Sequence, residues 1–231
     1  MAEKQKVIVS LGGSIVAPDS GPDGRFVLQF AKAIKKLARG RQFFIVVGGG
    51  KINRNYNVQA RSAGVKNQDD LDRIGLKATQ LNAQFVATIF ATKLQIQFLS
   101  SLQKPFKKDH VIISGGFPPL GKSTDTIAVQ LAERIRAKKL INLSNIDYVY
   151  DRDPKKIKNA KRIENLTWQE FKKICGGEWK PGLNAPFDPI ASKKAEQLGL
   201  EVIISNGRNL ANFKRIVEGK AFKGTIINSR D

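Results

Sequence analysis

The residues best suited to chemistry in this chain are three glycine clusters, each placed directly after a short apolar stretch. They are Gly12-Gly13, Gly48-Gly49-Gly50 and Gly115-Gly116, and each precedes a stretch that can start a helix. Glycine lets a backbone come close to a ligand, and a helix N-terminus offers unpaired N–H groups and partial positive charge. Together these features make sites for anions, usually phosphate. Three such turns in the first 125 residues predict a protein that grips more than one phosphate group.

The third cluster continues into Gly121-Lys122-Ser123, so residues 116–123 match the GxxxxGK[ST] pattern of a P-loop. Two prolines within that segment, Pro118 and Pro119, remove N–H donors that a P-loop needs to wrap a phosphate group. The first cluster fits neither this pattern nor the GxGxxG dinucleotide fingerprint. The sequence therefore disfavours a P-loop nucleoside triphosphatase.

Apolar periodicity predicts strands that alternate with helices along most of the chain. Strands are predicted at 6–11, 42–47, 94–99, 111–114, 140–143, 148–150, 201–205 and 225–228, and helices at 25–37, 52–63, 68–92, 123–138, 188–198 and 210–218. A lysine-rich loop is predicted up to about Asn165, a capping box at Thr167 and Glu170, and a Gly/Pro/Trp loop over 176–185. The alternation implies an α/β fold with a mostly parallel sheet. Ligands bind such sheets at the carboxyl ends of the strands, where all three glycine clusters are predicted to lie.

The charge of the chain is strongly positive. Lys and Arg number 40 against 20 Asp and Glu, which gives a net charge of +20. This balance fits nucleic-acid binding by phosphate neutralisation, steering of anionic small molecules, or a compositional bias of the source organism. Because the basic residues are spread along the chain without an RNA-module signature, nucleic acid is a possible but not a favoured partner.

Length and composition favour a cytoplasmic protein. The 231 residues fit one large domain or two tightly joined lobes, and no apolar run reaches the roughly 18 residues that span a bilayer. The N-terminus lacks a secretory pattern. Cys175, the single cysteine, fits a reducing cytosol and is expected to be a small, partly buried side chain rather than a reactive thiol. The single histidine, His110, cannot form a multi-histidine metal site.

The order of motifs resembles the amino-acid kinase superfamily and, within it, the archaeal-type uridylate (UMP) kinases. The resemblance covers nearly the whole chain, and its motifs are specific in this order and spacing. They are SLGGS (10–14), VVGGGKINRNY (46–56), DRIGLKATQLNA (72–83), SGGFPPLGKSTD (114–125), LSNIDYVYDRDP (143–154) and FDPIASK (187–193). The resemblance implies a three-layer αβα sandwich formed by a single domain, 1–231. An acceptor lobe would span about 1–120 and an ATP lobe about 121–231.

The activity that this resemblance implies is transfer of the γ-phosphoryl group of ATP to UMP, with Mg²⁺ bound to the ATP. The acceptor site would be formed by two glycines near the UMP phosphate, a phosphate-binding arginine, a ribose-binding aspartate and the 115–125 loop. The residues at the matching positions are Gly49, Gly50, Arg54, Asp72, Gly116, Ser123 and Thr124. The family is usually a homohexamer built as a trimer of dimers, and this is expected here.

The ATP site implied by the resemblance combines the first glycine turn with the segment 143–154. Gly12, Gly13 and Ser14 would hold the β and γ phosphates. The nucleotide would be lined by Ser144, Asn145, Asp147, Tyr150 and Asp153. Tyr148 stands where the family usually has glycine. No protein ligand for a metal is expected, because Mg²⁺ would keep most of its waters.

The resemblance also implies the catalytic residues. Asp125 matches the aspartate that positions the catalytic lysines, and Lys193 is the candidate lysine for the transferring phosphoryl group. Many members have a further lysine two residues before the first Gly-Gly, where this chain has Ser10. We hypothesise that Lys51 supplies the missing charge. Asn82 matches a family asparagine, but the arginine that normally accompanies it is Gln80 here.

Two alternatives stay open from the sequence. One is another small-phosphate kinase of the same superfamily. Isopentenyl phosphate kinase is disfavoured because the only histidine is His110, and acetylglutamate and aspartate kinases are disfavoured by the pattern of Arg54, Tyr56 and Asp72. The other is a non-catalytic phosphate-ligand or RNA-binding protein, which the net charge and Ser10 would suit.

Overall fold

One eight-stranded sheet forms the centre of the protein in the computed structural model, which describes residues 4–154, 157–175 and 186–229. Its strands are β1 (Gln5–Leu11), β2 (Arg41–Val47), β3 (Ile96–Phe98), β4 (Val111–Ser114), β5 (Lys139–Ser144), β8 (Asn165–Thr167), β9 (Glu201–Asn206) and β10 (Thr225–Asn228), with β6 (Val149–Tyr150) and β7 (Arg162–Ile163) as a separate antiparallel pair. The order across the sheet is β3-β4-β2-β1-β5-β9-β10-β8. All pairs are parallel except β9 with β10, so the predicted mostly parallel sheet is confirmed.

Helices cover both faces of this sheet and make the predicted three-layer αβα sandwich. They are α1 (Gly13–Val16), α2 (Gly24–Leu37), α3 (Gly50–Ser62), α4 (Gln68–Ala91), α5 (Thr124–Arg134), α6 (Trp168–Cys175), α7 (Pro189–Gln197) and α8 (Leu210–Val217). One apolar core lies between the sheet and α1, α2, α4 and α8. A second core lies on the opposite face, under α5, α6 and α7. None of the described helices is long and apolar enough to cross a membrane.

The alternation of side chains along β1 decides which residues reach the site. Val7, Val9 and Leu11 point into the first core, whereas Ile8 points into the second. Successive residues of a strand face opposite sides of its sheet. Ser10 therefore lies on the same side as Ile8, the side covered by α5.

Polar caps fix several helix starts where the sequence predicts them. The Asp188 carboxylate accepts a hydrogen bond from the Ala191 N–H (2.8 Å) at the start of α7. At α6 the Glu170 carboxylate accepts from the Thr167 N–H (2.7 Å), and the Thr167 hydroxyl accepts from the Glu170 N–H (3.2 Å). The predicted capping box is thus present, and such caps stabilise a helix end by about 1 kcal/mol.

Some details differ from the sequence prediction. The lysine-rich segment expected to be a loop up to Asn165 contains β7, whose Arg162 and Ile163 pair with β6. Helix α5 ends at Arg134 rather than at 138, because Arg136 takes a left-handed conformation (φ 56°) that breaks the helix. The predicted loop over 176–185 lies outside the described residues.

Cys175 is half-buried at the end of α6. Burial raises the pKa of its thiol to about 11. Thiol reactivity depends on the thiolate, so this agrees with the structural role predicted for Cys175.

Candidate active site

The first two glycine turns are locked together by their backbones. A methyl group added at Gly13 would lie 2.3 Å from both the Gly48 carbonyl oxygen and the Gly50 nitrogen. Gly50 has a φ of +59°, and a Cβ there would meet the backbone of Gly13 and Ser14. Only glycine combines this conformation with so close an approach. The turn after β1 and the turn after β2 therefore form one unit at the carboxyl edge of the sheet.

A buried asparagine holds the second turn from below. The Asn82 side-chain amide donates to the carbonyls of Gly48 (2.9 Å) and Gly49 (3.2 Å). Asn82 is buried in α4. By binding two carbonyls of the turn, Asn82 fixes the backbone of the turn against α4.

A threonine of α4 holds the third turn in the same way. The Gly116 N–H donates to the Thr79 hydroxyl (2.8 Å), which itself donates to the Leu76 carbonyl (2.8 Å). The Gln80 amide reaches the Gly116 carbonyl at 3.4 Å. Gln80 thus contacts the third turn in place of the family's arginine.

A cavity of about 250 Å³ opens between the second and third turns. It is bounded by the turns themselves, by α3 and α4, and by the 115–125 loop. Its walls include Gly49, Asn53, Asn57, Asp72, Gly75, Thr79, Gly116, Gly121, Lys122, Ser123 and Thr124. Five of the seven predicted acceptor-site residues line this cavity. The other two do not: Gly50 packs against the first turn, and Arg54 is an exposed residue of α3.

Two asparagines of α3 belong to this cavity and were missed by sequence reasoning. Asn53 and Asn57 are one helical turn apart on the face of α3 that lines it. The side-chain oxygen of each is buried without a hydrogen-bond partner. Gly75 of α4 leaves the room for Asn53, since a Cβ there would lie 3.0 Å from its Oδ1. The four-residue spacing of two amides on α3 was the signal available in the sequence.

Asp125, in the first turn of α5, joins the two halves of the sheet edge. Its carboxylate accepts a hydrogen bond from the Ser10 hydroxyl (2.9 Å) and one from the Asp188 N–H (3.3 Å). Burial raises the pKa of the Asp125 carboxyl to about 6; the hydrogen bond from Ser10 opposes this shift and the negative charge of Asp188 adds to it. Within 4–154, 157–175 and 186–229 no cation offsets the burial, and Ser10 stands where many relatives in the resembled family have lysine.

A row of polar side chains lies on the α5 face of the sheet, and Ser10 in this row contacts Asp125. Ser114, Ser10 and Asn142 share one register line across β4, β2, β1 and β5. The Asn142 amide donates to the Pro186 carbonyl (3.0 Å), directly before the segment that caps α7. The Ser114 hydroxyl is buried without a partner. This row places polar groups under a site where charge must be accommodated.

The two predicted catalytic lysines lie on two helices that begin next to this arrangement. Lys51, the second residue of α3, pairs with Asp19 in the loop before α2 (3.0 Å), and its side chain is 43% exposed. Lys193 is exposed on the second turn of α7, the helix whose N-terminal cap contacts Asp125. Lys51 thus directly follows the locked turns, and Lys193 lies on a helix joined to Asp125 through Asp188.

The predicted ATP residues lie in the first turn and in the segment that follows β5. The Gly12 N–H donates to the Leu143 carbonyl (2.8 Å), so the first turn is fastened to the end of β5. Ser14 and Ser144 are partly buried beside it, whereas Asn145, Asp147 and Asp153 are exposed. Tyr150 is partly buried in β6. Tyr148 is buried, and the Arg162 guanidinium lies 5.2 Å from its ring centroid, so the tyrosine at the family's glycine position serves packing.

Carboxylates do not gather into a metal centre in the described part of the chain. Within 4–154, 157–175 and 186–229, no group of three or more His, Cys, Asp or Glu side chains is placed to hold a metal ion. Asp125 and its neighbour Asp188 lie beside the sheet edge, and Asp72 lines the cavity there. A divalent cation here would therefore need most of its ligands from a substrate and from water.

Comparison with known proteins places this geometry in a family. The sequence profile of the amino acid kinase family matches residues 5–206. The chain belongs to the amino acid kinase family. Its match begins with β1 and ends with β9, so it includes all three glycine turns, Asp125 and the start of α7.

Among curated members of the amino acid kinase family, this chain is similar to archaeal uridylate kinases. It is 35% identical to the uridylate kinase of Archaeoglobus fulgidus over 226 residues, with 96% of this chain and 99% of that protein covered. It is 32% identical to the uridylate kinase of Methanothrix thermoacetophila over 227 residues, with the same coverage.

Solved structures agree with this similarity. The crystal structure of the Archaeoglobus fulgidus uridylate kinase covers 96% of this chain and all of its own, at a TM-score of 0.74 and 32% identity. The UMP kinase of Bacillus anthracis shares the fold at a TM-score of 0.83 and 22% identity, covering all of this chain and 98% of its own. The amino-acid kinase sandwich predicted from the sequence is confirmed.

Proposed function

We propose that this protein is a uridylate kinase, which transfers the γ-phosphoryl group of ATP to UMP and releases UDP and ADP. The observation that carries the proposal is the backbone contact between the turn after β1 and the turn after β2. It sets two anion-binding turns side by side, with Asp125 adjacent and a cavity on the acceptor side. Curated relatives that are named uridylate kinases and match over nearly the whole chain support the substrate pair.

The chemistry needs positioning more than covalent participation. A phosphate oxygen of UMP forms a bond to the γ-phosphorus, and the bond from that phosphorus to the β–γ bridging oxygen breaks in line. No general base is needed, since the UMP phosphate is already ionised at neutral pH. The locked turns would hold the two phosphates in this alignment, which lowers the entropic part of the barrier.

The donor side is proposed to consist of the first turn and the segment after β5. The N–H groups of Gly13 and Ser14 would face the ATP phosphates, and the nucleoside would be lined by Ser144, Asn145, Asp147, Tyr150 and Asp153. Mg²⁺ brought in by ATP would neutralise charge on the phosphate oxygens. The protein's share is to fix the ATP through Gly12 and Gly13 and to keep Asp125 and Lys193 near the transferred group.

The acceptor side is proposed to be the cavity lined by Gly49, Asp72 and the 115–125 loop. Asp72 would accept hydrogen bonds from the ribose hydroxyls, and Arg54 would swing in from the exposed face of α3 to the UMP phosphate. On this proposal residues of about 1–120 form an acceptor lobe and those of about 121–231 an ATP lobe. The sheet runs through both, because β1 pairs with β2 and with β5.

We also propose that the protein is a cytoplasmic homo-oligomer, a hexamer arranged as a trimer of dimers. Large apolar side chains exposed on adjacent helices support a subunit interface: Tyr56 and Val58 on α3 and Leu81 on α4. Contiguous exposed apolar patches are typical of contact surfaces, and a subunit that packed against α3 and α4 would bury these side chains. Light scattering of the purified protein would give the number of subunits.

The function is tested by incubating the full-length protein with ATP, Mg²⁺ and each nucleoside monophosphate in turn and measuring ADP. We expect UMP to give the highest kcat/KM. Equal or greater turnover with a different phosphorylated acceptor would favour another small-phosphate kinase of the family. Absence of turnover with every acceptor, together with salt-dependent RNA binding, would contradict the proposal in favour of a binding protein.

Lys51→Ala is expected to lower kcat by more than fivefold, which corresponds to about 1 kcal/mol of transition-state stabilisation. Lys51 follows the second glycine turn directly, and Ser10 leaves the site short of one positive charge. Steady-state kinetics with saturating ATP and UMP measure the effect.

Asp19→Asn is the matched control for Lys51, because it breaks the same ion pair from the other side. If Lys51 acts on the phosphoryl group, Asp19→Asn frees it and leaves kcat unchanged or raised. Equal losses in both variants, or a loss under fivefold in Lys51→Ala, would show that the lysine only fastens the loop before α2.

Asn53→Leu is expected to weaken discrimination between UMP and 2′-deoxy-UMP by about tenfold. The buried Asn53 oxygen has no hydrogen-bond partner among the described residues, and a ribose hydroxyl in the cavity would supply one. An unpaired buried acceptor costs about 1–3 kcal/mol, so the loss of this contact is measurable as a ratio of kcat/KM values.

Asn55→Ala serves as the control for Asn53, because Asn55 is exposed on the same helix and does not line the cavity. We expect it to leave the ratio unchanged. A proportional fall in kcat/KM for both substrates in Asn53→Leu would assign Asn53 to helix packing instead.

A further inference from the structure

A second, larger cavity lies at the opposite end of the sheet from the glycine turns. Its volume is about 880 Å³, and it is formed where β1, β2 and β5 begin and where α5 and α8 end. Its lining consists of Lys4, Gln5, Lys6, Val7, Arg41, Arg134, Ile135, Arg136, Ala137, Lys138, Lys139, Ile141, Ile216, Val217, Glu218 and Gly219. We call it the basal cavity. The proposed transfer reaction uses none of these residues.

The basal cavity is far more basic than the chain as a whole. Seven of its lining residues are Lys or Arg and one, Glu218, is acidic, whereas the whole chain has two basic residues for each acidic one. Glu218 is itself paired with Lys214 (3.7 Å) and Lys220 (2.8 Å), which lie outside the lining. A surface on which basic and acidic residues were evenly mixed would have about two basic residues for each acidic one. The seven-to-one ratio therefore shows that positive charge is concentrated at the basal cavity.

Some of these cations are already neutralised or fixed. Lys4 pairs with Asp109, and Lys139 with Glu201 (2.8 Å). The Arg134 guanidinium donates to carbonyls of the 99–110 loop and lies 4.1 Å from the Phe106 ring centroid. These three cations are therefore engaged in contacts within the protein that stabilise the wall of the cavity.

Other cations remain for a ligand. Among the ion pairs formed by described residues, none includes Arg136 or Lys138, and both residues are exposed or partly exposed at the rim. Arg41 donates to two neutral partners, the Gln5 side-chain oxygen (3.2 Å) and the Leu37 carbonyl (3.2 Å), and its charge adds to the effect of Lys220 and Lys214 in lowering the pKa of Glu218. These three residues converge on the basal cavity from β2 and from the turn between α5 and β5.

The backbone at Arg136 adds an independent observation. Its φ of 56° lies in the left-handed region, which a residue with a Cβ adopts at a cost of about 1–2 kcal/mol. The neighbouring turns that end α7 and α8 use glycine in the same conformation, Gly199 and Gly219. At the end of α5 the chain instead places a guanidinium on the cavity rim. Strained positions of this kind concentrate at functional sites.

The lining also indicates the class of ligand. It contains no aromatic side chain, so it has no platform on which a nucleobase would stack. Its polar groups are mainly cationic donors, which recognise phosphate oxygens. Its concave shape suits a compact anion better than a duplex, whose charge is spaced along a rod.

We propose that the basal cavity is a second anion site, which binds a compact chain of linked phosphate groups. Tripolyphosphate and the triphosphate moiety of a nucleotide share this chemistry. The site goes beyond the proposed transfer reaction and does not depend on it. Arg41, Arg136 and Lys138 are the residues that bind the phosphates.

The experiment is calorimetric titration of the full-length protein with sodium tripolyphosphate, orthophosphate and ATP at low ionic strength. The variant is Arg136→Ala with Lys138→Ala. The matched control is Lys35→Ala with Lys36→Ala, which removes the same charge from exposed residues of α2 that do not line the cavity. UMP turnover of both double variants checks that they are folded.

We expect two tripolyphosphate sites per chain in the unaltered protein, one of them at the active site. In the rim variant, Arg136→Ala with Lys138→Ala, the affinity of one site for tripolyphosphate should fall at least tenfold and that of the other should stay unchanged. In the control variant the affinity of each site should change by less than twofold. If the basal cavity binds ATP and tripolyphosphate with equal affinity, the triphosphate is the recognised group. Weaker binding of ATP than of tripolyphosphate would favour the free phosphate chain as the ligand.

Three results would overturn the proposal. They are a single tripolyphosphate site that the rim variant leaves intact, equal weakening in the rim variant and the control, and tighter binding of a single-stranded oligonucleotide that the rim variant abolishes. The second would assign the binding to general surface charge, and the third would make the basal cavity part of a nucleic-acid surface.

Discussion

Gly13→Ala is expected to abolish measurable phosphoryl transfer and to lower the free energy of unfolding by about 3 kcal/mol. The added methyl group would lie 2.3 Å from the Gly48 carbonyl oxygen and from the Gly50 nitrogen. Both obstacles are backbone atoms, so no side chain can rotate away to relieve the overlap. The two turns must separate, and the alignment of donor and acceptor phosphates is lost with them. Initial rates and urea denaturation measure the two effects.

Gly24→Ala is the control for Gly13, because a methyl group there would make only ordinary contacts of 3.8 Å with Ile89 and Phe85. Gly24 is the first residue of α2, where alanine is tolerated. We expect unchanged kinetics and equal or slightly higher stability. If Gly13→Ala keeps more than a tenth of the activity, the turns are not the rigid unit inferred from their contact.

Asp125→Asn is expected to lower kcat by about 100-fold or more while making the protein more stable at pH 7. Removal of one preorganised electrostatic group at a transfer site typically costs a factor of this size. The stability gain arises because burial, with no cation beside it among the described residues, raises the pKa of the Asp125 carboxyl to about 6. An amide has no charge to bury.

The pH dependence of this gain has a defined sign. The folded protein holds a proton on Asp125 up to a pH near 6, whereas the unfolded chain releases it near 3.8. The contribution of Asp125 to the free energy of unfolding is therefore greatest below about pH 3.8. It falls as the pH rises to 6, by about 3 kcal/mol at most. In the Asp125→Asn variant an NH2 group replaces one carboxylate oxygen. Where this group faces the Asp188 N–H, two donors oppose each other, and the lost hydrogen bond costs about 1 kcal/mol of stability. The net gain at pH 7 is thus about 1–2 kcal/mol.

Thermal unfolding of both proteins between pH 4 and pH 8, with kcat at pH 7.5, tests this prediction. The melting temperature of Asp125→Asn should exceed that of the unaltered protein at pH 7 and lose this advantage as the pH falls to 4. A variant that is less stable at every pH would mean that the Asp125 charge is compensated in the folded protein. Unchanged kcat would remove Asp125 from the site.

The elements of this fold could be predicted from local pattern because strands and helices are encoded by neighbouring residues. The run before Gly12 and the run before Gly48 are apolar and end at glycine, and each is a strand that ends there. Short strands could not be predicted where a strand forms only by pairing with a distant segment. Arg162 is in a strand only because Tyr150 lies opposite, and nothing in its own segment signals this.

Residues of the candidate site could be predicted from the sequence where they belong to a glycine cluster or a motif. Contacts between side chains that are far apart in the sequence could not. Ser10 and Asp125 are 115 positions apart, so their hydrogen bond cannot be inferred from spacing. The pairing of Lys51 with Asp19 depends on the loop before α2. The basal cavity draws its lining from several elements whose common end becomes visible only in three dimensions.

The contact between Gly13 and Gly50 has a consequence for how acceptor preference can evolve. With the two turns in van der Waals contact, the enzyme cannot admit a bulkier acceptor by parting them. On the proposed function, selection of the acceptor would act at the far wall of the cavity, on Asn57, Asp72 and the 115–125 loop. Changes there can retune which molecule is phosphorylated without disturbing the alignment of the reacting phosphates. Substrate range and turnover are thereby separable traits in this fold, open to independent change by mutation.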